Sequence, residues 1–292
     1  MSRPLASIII PAKNEGRNVF NTVRSVMGAR NSTPCEIIVI DDGSEDGCCD
    51  FLRGQGFLKN VAVYRTPGLG SAAARNVGAG RAGGEILIFC DAHIFVEQNW
   101  VDRLVDTLLE GRVDAVCPAI APHDRPNDVA GGVTWDERLN FKWLPRPPKL
   151  SPVPLLPGGC FAVRADVFGA VGGFERGFMV WGREDEEISL KMWLFGYRLG
   201  VNPFVKVLHV FRRRHPYTVA WEHVDYNLLR MAYSHFKNER VAKTIDLIRH
   251  HSCNQLVERR IHESDVFDQR KEYFRKRKRD DDWFFERFRI PF

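Results

Sequence analysis

Apolar residues in the first third of the chain come in short unbroken runs, separated by longer stretches of mixed polarity. Ser7-Ile8-Ile9-Ile10 ahead of Pro11, Glu36 to Ile40 ahead of Asp41-Asp42-Gly43-Ser44, Val61 to Tyr64, and Glu85 to Cys90 ahead of Asp91 each read as a buried strand. Helical patterns lie between them at about 18–29 and 72–81. Strands alternating with helices predict an α/β fold built on a largely parallel sheet. From Asp124 to Pro157 the composition turns to Pro, Trp and basic residues, which predicts a long loop-rich insertion over the sheet where substrate contacts gather. Regular structure is expected again at Phe161-Ala162-Val163, over the helical pattern Asp185 to Phe195, and at the apolar strand around Val207-Leu208-His209. Helices follow at about 221–237 and 239–250. No linker separates independent domains, so 1–218 reads as the main α/β unit and 219–292 as a helical, basic extension packed on it.

Composition narrows the class. With 292 residues, 44% of them hydrophobic and 27% charged, the chain can bury a sizeable core and carries no long disordered stretch. No run approaches the length of a membrane helix, and Met1 to Ile10 lacks the layout of a secretory signal, so a cytoplasmic setting is expected. Seven scattered cysteines, several in apolar runs, point to buried thiols and away from a disulfide framework or zinc knuckle. The basic excess behind the net charge of +5 lies beyond residue 211, where 19 Lys/Arg face 13 Asp/Glu, and the rest of the chain is close to neutral. Arg270 to Arg279, followed by Asp280-Asp281-Asp282-Trp283-Phe284-Phe285, reads as a solvated helix face ending in an aromatic anchor. The alternative is peripheral contact with an acidic membrane. No nucleic-acid-binding motif accompanies the charge, so a nucleic-acid partner is not expected. Oligomeric state leaves no trace in the sequence.

Chemistry concentrates where strands end. Asp91-Ala92-His93 closes a buried strand, and an acid and an imidazole two positions apart on extended chain point the same way, offering one oxygen and one nitrogen to a divalent ion. A plain turn explains Asp91 equally well until His209, set in a second apolar strand, supplies a third donor. Mixed nitrogen and oxygen ligation with open positions suits Mn2+, with Mg2+ as the alternative for hard phosphate oxygens. Pro11-Ala12-Lys13-Asn14-Glu15 and Asp41-Asp42-Gly43-Ser44, at neighbouring strand ends, form a crevice suited to a base and ribose. Trp181-Gly182-Arg183-Glu184-Asp185-Glu186-Glu187 places acids behind a bulky ring. A first-turn dipole effect accounts for Glu186 and Glu187, whereas Glu184 and Asp185 suit sugar hydroxyls. Gly68-Leu69-Gly70-Ser71-Ala72-Ala73 mimics a dinucleotide fingerprint with Asp91 as the ribose acid. It falls on the wrong strand unit, however, and a ribose role leaves His93 unexplained.

Together these segments resemble family 2-type GT-A glycosyltransferases, and most closely the catalytic domain of polypeptide N-acetylgalactosaminyltransferases. The resemblance rests on Arg75-Asn76-Val77-Gly78, Asp91-Ala92-His93, Leu139-Asn140-Phe141-Lys142-Trp143, Gly158-Gly159-Cys160-Phe161-Ala162-Val163, Trp181-Gly182-Arg183-Glu184-Asp185 and the run from His209-Val210-Phe211-Arg212-Arg213-Arg214 to His215-Pro216-Tyr217-Thr218. It implies a GT-A fold: a Rossmann-like, mostly parallel sheet flanked by helices, with a C-terminal helical extension. It also implies a UDP-sugar donor, a hydroxyl or thiol on a peptide, protein or glycan as acceptor, and a metal held by Asp91, His93 and His209. Pro11, Ala12, Glu15 and Asp42 would line the nucleoside, with Ala92 beside the metal. Arg75, Arg212 and Tyr217 would contact phosphates, Gly158 and Gly159 would let backbone approach the donor sugar, and Trp181 and Glu184 would face sugar and acceptor.

One departure bears on stereochemistry. Asp185 stands where that family usually has Asn, and a Glu-Asp pair resembles inverting enzymes in which the Asp is the general base. The metal triad and His215-Pro216-Tyr217-Thr218 favour retention, and retention is expected. A reading of another class, a silent module that holds a glycan or nucleotide, explains the crevice but not the acids at 184 and 185. The donor sugar stays open among GalNAc, GlcNAc, Gal and Glc.

Overall fold

Alternate residues of the strand Ile86–Cys90 belong to different cores. Ile86, Ile88 and Cys90 face one helical layer, while Leu87 and Phe89 face the other. A strand buried on both sides must be apolar at every position, which is why this segment reads as an unbroken run. The computed structural model describes residues 3–53, 60–212 and 214–292. In chain order the strands are β1 Ala6–Ala12, β2 Cys35–Asp42, β3 Val61–Thr66, β4 Ile86–Cys90, β5 Ile94–Val96, β6 Ala115–Pro122, β7 Ala130–Trp135, β8 Phe141–Pro145, β9 Ser151–Pro152, β10 Cys160–Arg164 and β11 Leu199–His209. The helices are α1 Asn18–Gly28, α2 Ser71–Arg81, α3 Trp100–Leu109, α4 Ala165–Ala170, α5 Glu184–Leu194, α6 Trp221–His235, α7 Asn238–Ile248, α8 Asn254–His262, α9 Val266–Lys276 and α10 Asp281–Phe288.

The sheet runs β3-β2-β1-β4-β10-β6-β11-β5. The first four strands are mutually parallel, β10 is antiparallel to both β4 and β6, and β11 returns parallel to β6. As expected, this is a mixed α/β fold with a large, mostly parallel sheet and flanking helices. Its topology brings the ends of β1, β2, β4 and β11 to one rim, where open α/β sheets bind ligands. α2 lies close on the sheet because Gly78 faces it: a Cβ there would come within 2.4 Å of the Ile9 side chain.

The 124–157 segment departs from the loop-rich expectation. It contains β7, β8 and β9, with β7 paired to β6 and β8, and β9 paired to β11. β7 and β8 form a local antiparallel hairpin and β9 pairs with a strand distant in sequence, so sheet pairing overrides the local Pro-rich signal. Trp135 ends β7 at 2% exposure, stacked on Phe285 at an interplanar angle of 24°, so it belongs to the core. α3 and β6, between His93 and residue 124, were not anticipated, although α3 repeats its apolar residues at Trp100, Val101, Leu104, Val105 and Leu108.

The C-terminal helices share one core with the sheet: Phe89, Phe161, Leu190, Leu229, Phe284 and Ile290 belong to the same apolar cluster. Much of the basic run is committed internally. Arg270 donates to the Tyr233 and Phe236 carbonyls and Arg277 to that of His235, while the Arg277 and Arg279 guanidinium groups cover the rings of Phe274 and Trp283. Among the described residues no helix is long and apolar enough to cross a membrane. The seven cysteines are all free thiols.

Candidate active site

A cavity of about 490 Å³ opens at the rim formed by β1, β2, β4 and β11. On one wall, β4 ends at Asp91 and the chain turns through buried Ala92 and His93 into β5. β5 pairs with β11, setting His209 opposite Ile94. Asp91, His93 and His209 thus each offer one donor atom, all within 4.8 Å of one another. The His209 Nε2 lies 3.2 Å from an Asp91 carboxylate oxygen, and the two imidazoles meet edge to face with centroids 4.6 Å apart. The His209 Nδ1 is buried without a partner. Gly159 makes room for this ring, since a Cβ at 159 would lie 2.9 Å from His209 Cδ2.

On the opposite wall stands Arg75 of α2, 3% exposed. Its Nη2 donates to Asp91 at 2.8 Å and lies 3.5 Å from the Gly158 carbonyl, while Nη1 reaches the Glu184 carboxylate at 3.4 Å and the Ser71 hydroxyl. Ser71 in turn donates to Glu184 at 2.6 Å. One guanidinium therefore links the metal-type cluster to the first acid of α5, the fork geometry that a planar five-donor group provides. Burial alone would raise the Asp91 carboxyl. The His209 hydrogen bond and the His93, Arg75 and His209 charges outweigh it and hold Asp91 well below the ordinary carboxylate range.

Asp185, the next residue of α5, behaves oppositely. It accepts from the Gly158 and Glu186 backbone N–H groups at 2.8 and 3.0 Å, yet burial and the Glu184 and Glu186 charges push its carboxyl up to about 8. A Cβ at Gly158 would lie 3.1 Å from the Asp185 carboxylate, so both glycines of the pair sit close against site side chains.

Pro11, Ala12, Glu15 and Asp42 line the end of the cavity above β1 and β2. Asp42 is 4% exposed, and three donors hold its oxygens: the Thr66 hydroxyl and the Leu69 and Gly70 N–H groups, at 2.6, 2.6 and 2.8 Å. The dinucleotide-like glycines thus wrap a carboxylate of their own chain. Arg212 grips Glu15 with two bonds of 2.9 and 2.8 Å and lies 3.0 Å from His93 Nδ1. Burial would raise Glu15, but His93 and Arg212 bring it below the ordinary value. Tyr217 lines the same cavity, its phenol raised by burial and by nearby carboxylates; Trp181 packs on His215 with centroids 4.3 Å apart. Arg213 lies outside the described residues. The residues to which the resemblance assigns metal, nucleoside, phosphate or sugar roles all line this one cavity, whereas Asp41 pairs with Arg53 and Arg65 and Glu187 with Lys191 and His235 away from it.

Phe141, Trp143 and Phe211 form an aromatic shelf at the mouth that no role in the sequence reading covered. Phe141 and Phe211 stay 40% and 50% exposed, uncommon for phenyl rings unless a partner covers them. The alternating Phe141-Lys142-Trp143 pattern carried that signal.

Comparison with known proteins decides the family: the profile of glycosyl transferase family 2 matches residues 7–172, more than half of the chain. This chain belongs to glycosyl transferase family 2. A second profile, described as the N-terminal domain of galactosyltransferase, matches residues 149–216 and so takes in α5, β11 and His209. The chain is 33% identical over 261 residues to polypeptide N-acetylgalactosaminyltransferase 11 of Xenopus tropicalis, covering 79% of this chain and 42% of that protein. It is also 33% identical over 256 residues to the human polypeptide N-acetylgalactosaminyltransferase 10, covering 78% and 42%. It therefore spans well under half the length of these curated relatives.

The fold of this family 2 member matches that of GalNAc-T7, solved with UDP, GalNAc and Mn2+, at a TM-score of 0.75 and 22% identity over 98% of this chain and 56% of the other. A mannosyltransferase from Pyrobaculum calidifontis, solved with GDP-Man and Mn2+, matches at a TM-score of 0.57 and 18% identity, over 94% and 75%. The matching glycosyltransferase fold assigns the α/β sheet to the GT-A type.

Proposed function

We propose that this chain transfers a sugar from a UDP-sugar to a hydroxyl of a peptide or protein acceptor, with Mn2+ as cofactor and net retention at the anomeric carbon. The observation that carries it is the junction of Asp91, His93 and His209 with Arg75 and Glu184 across one cavity. The donor set fits a borderline-hard divalent ion: one carboxylate and two imidazoles, with the His209 Nδ1 left orphaned and fixed by no protein acceptor. When bound, Mn2+ supplies Lewis-acid neutralisation of charge on the departing diphosphate. Arg75 presents fixed positive charge to the same region, its Nε also unpartnered. Pro11, Ala12, Glu15 and Asp42 hold the nucleoside end, and Arg212 and Tyr217 close over the phosphates. Trp181 and Glu184 orient the sugar, and the shelf of Phe141, Trp143 and Phe211 receives apolar flanks of the acceptor. Among donors, GalNAc leads because the curated relatives carry its name, with GlcNAc, Gal and Glc next.

The test incubates the purified chain with a panel of UDP-sugars and a Ser/Thr peptide, with and without Mn2+, and follows UDP release and product mass. Metal-dependent transfer from one sugar is expected. Neither binding nor turnover of any UDP-sugar with Mn2+ present would leave only a silent binding module.

Inversion with Asp185 as base has one observation in its favour, the carboxyl raised to about 8. Against it, two backbone donors hold both Asp185 oxygens. Retention predicts that Asp185→Asn keeps kcat within about tenfold, whereas loss of a general base lowers it by about 10²–10⁴. The anomeric-proton coupling of the product checks the same point independently. Stability gives a further prediction. Asp185 binds its proton more tightly folded than unfolded, so its contribution is full below about pH 4 and is lost as pH rises to about 8. Asp185→Asn therefore gains in thermal midpoint relative to the parent between pH 5 and pH 8.5, measured by scanning both proteins at each pH.

A further inference from the structure

The loop that delivers Trp181 and Glu184 has an unfavourable backbone. Val180 sits at φ +36°, Gly182 at +104° and Arg183 at +69°. A β-branched residue with positive φ is an outlier that persists only when its surroundings over-determine it. Here those surroundings come from two sides. From α2, the Ser71 N–H donates to the Val180 carbonyl at 2.7 Å, an approach possible because residue 70 is glycine: a Cβ there would lie 2.7 Å from the same oxygen.

From α6, the side-chain amide of Asn227 takes hold of the loop. Its oxygen accepts from the Met179 N–H at 2.8 Å, and its nitrogen donates to the carbonyls of Met179 at 2.8 Å, Gly182 at 2.9 Å and Trp181 at 3.3 Å. Asn227 is fully buried. One turn on, Arg230 donates to Glu175 at 2.9 Å, and Glu175 accepts from the Gly177 N–H at 3.0 Å, so the same helix face fixes the start of the loop. Glu184 completes the clamp by accepting from the Gly182 N–H at 2.9 Å. The four contacts of Asn227 all go to the backbone of one short loop, at Met179, Trp181 and Gly182, so the whole hydrogen-bonding capacity of this amide is spent on that segment. α6 also lies beyond both family matches, which end at residues 172 and 216.

We infer that Asn227 is a positioning residue for sugar transfer: by holding residues 179–182 with Val180 and Gly182 at positive φ, it sets Trp181 and Glu184 in the cavity, and the C-terminal helices thereby complete the donor-sugar end of the site. This rests on the transfer reading above. Asn227 touches neither the metal cluster nor the nucleoside end. Its loss acts on kcat while nucleotide and metal binding persist, a split that general destabilisation does not produce.

The experiment compares the parent chain of 292 residues, Asn227→Ala and Gly182→Ala. Gly182→Ala disturbs the same loop without removing a buried polar group: its Cβ meets only Val224, at 3.5 Å, but stands at a φ that L side chains rarely adopt. Three quantities are read well below each thermal midpoint: UDP binding with Mn2+ by calorimetry, kcat with the active UDP-sugar, and hydrogen exchange at the amides of 179–184. Both variants are expected to bind UDP within about threefold of the parent, to lose about a hundredfold in kcat, and to exchange the loop amides at least tenfold faster than the parent, with β1 and β4 unchanged. If Asn227→Ala does not fold, Gly182→Ala alone carries the comparison. Parent-like kcat in a folded variant, or unchanged exchange at the loop, overturns the inference. An inactive parent instead counts against the transfer reading, and the exchange data then judge the clamp by themselves.

Discussion

Asp91→Asn is expected to lower sugar transfer about a thousandfold while leaving the fold in place, because it removes the anionic member of the metal cluster. Asn preserves the shape of the side chain and can still accept from Arg75, so the wall between α2 and β4 keeps its contact. What disappears is the charge that the neighbouring cations hold ionised. A metal centre reduced to two imidazoles and a neutral amide holds a hard divalent ion weakly. The measurement is paired: kcat against Mn2+ concentration, and the thermal midpoint with and without Mn2+ and UDP. Ligands that bind only the native state raise its midpoint, by about 2.7 kcal/mol of stability at a hundred times Kd. The parent should show this rise and Asp91→Asn should not. Equal stabilisation of both proteins would remove Asp91 from the metal site.

Arg75→Leu should be the most destabilising substitution in the site, at about 3–5 kcal/mol, because it leaves buried carboxylates without their cation. Arg75 and Glu184 have side-chain exposures of 4% and 8%, and the guanidinium is the cationic group bonded to Glu184. Its removal leaves the buried Glu184 carboxylate without that cation, beside Glu186 at the start of α5. Chemical denaturation at neutral pH measures the loss. Arg75→Lys provides the control: it keeps the charge but cannot span Asp91 and Glu184 with one planar group, so it should recover part of the stability and little of the activity. If Arg75→Leu matches the parent in stability, the pairing contributes nothing net.

The candidate metal cluster could be read from the chain because a divalent site needs few side chains of restricted type, and here two of them lie two positions apart at one strand end. His209 could be joined to them because it stands in an otherwise apolar strand, where an imidazole is conspicuous. The parallel core was legible for a related reason: strands buried on both faces must be apolar throughout. The strands β7 to β9 were not, since each carries Pro or Gly against local propensity and β9 also depends on a partner distant in sequence. Asn227, Arg230 and Glu175 escaped notice on other grounds. A polar residue inside a helical pattern looks like a solvated position, and only the folded chain reveals that loop carbonyls surround it. Phe141 and Trp143 were placed correctly in the insertion, but Trp135 beside them is core. Composition alone does not distinguish an aromatic that packs inward from one that waits for a ligand.

The shared core has a consequence for biosynthesis. Chains emerge from the ribosome amino end first, and domains generally form as their sequence becomes available. Here β1 to β4 are made before the helical extension, yet the apolar surface presented by Phe89 and Phe161 is closed with the help of Phe284, Phe285 and Ile290 of that extension. The nascent sheet must therefore wait, half-covered, until residues 284–290 have been made. During that interval chaperone capture and aggregation compete for the open face, and premature termination anywhere in the helical extension leaves it permanently exposed.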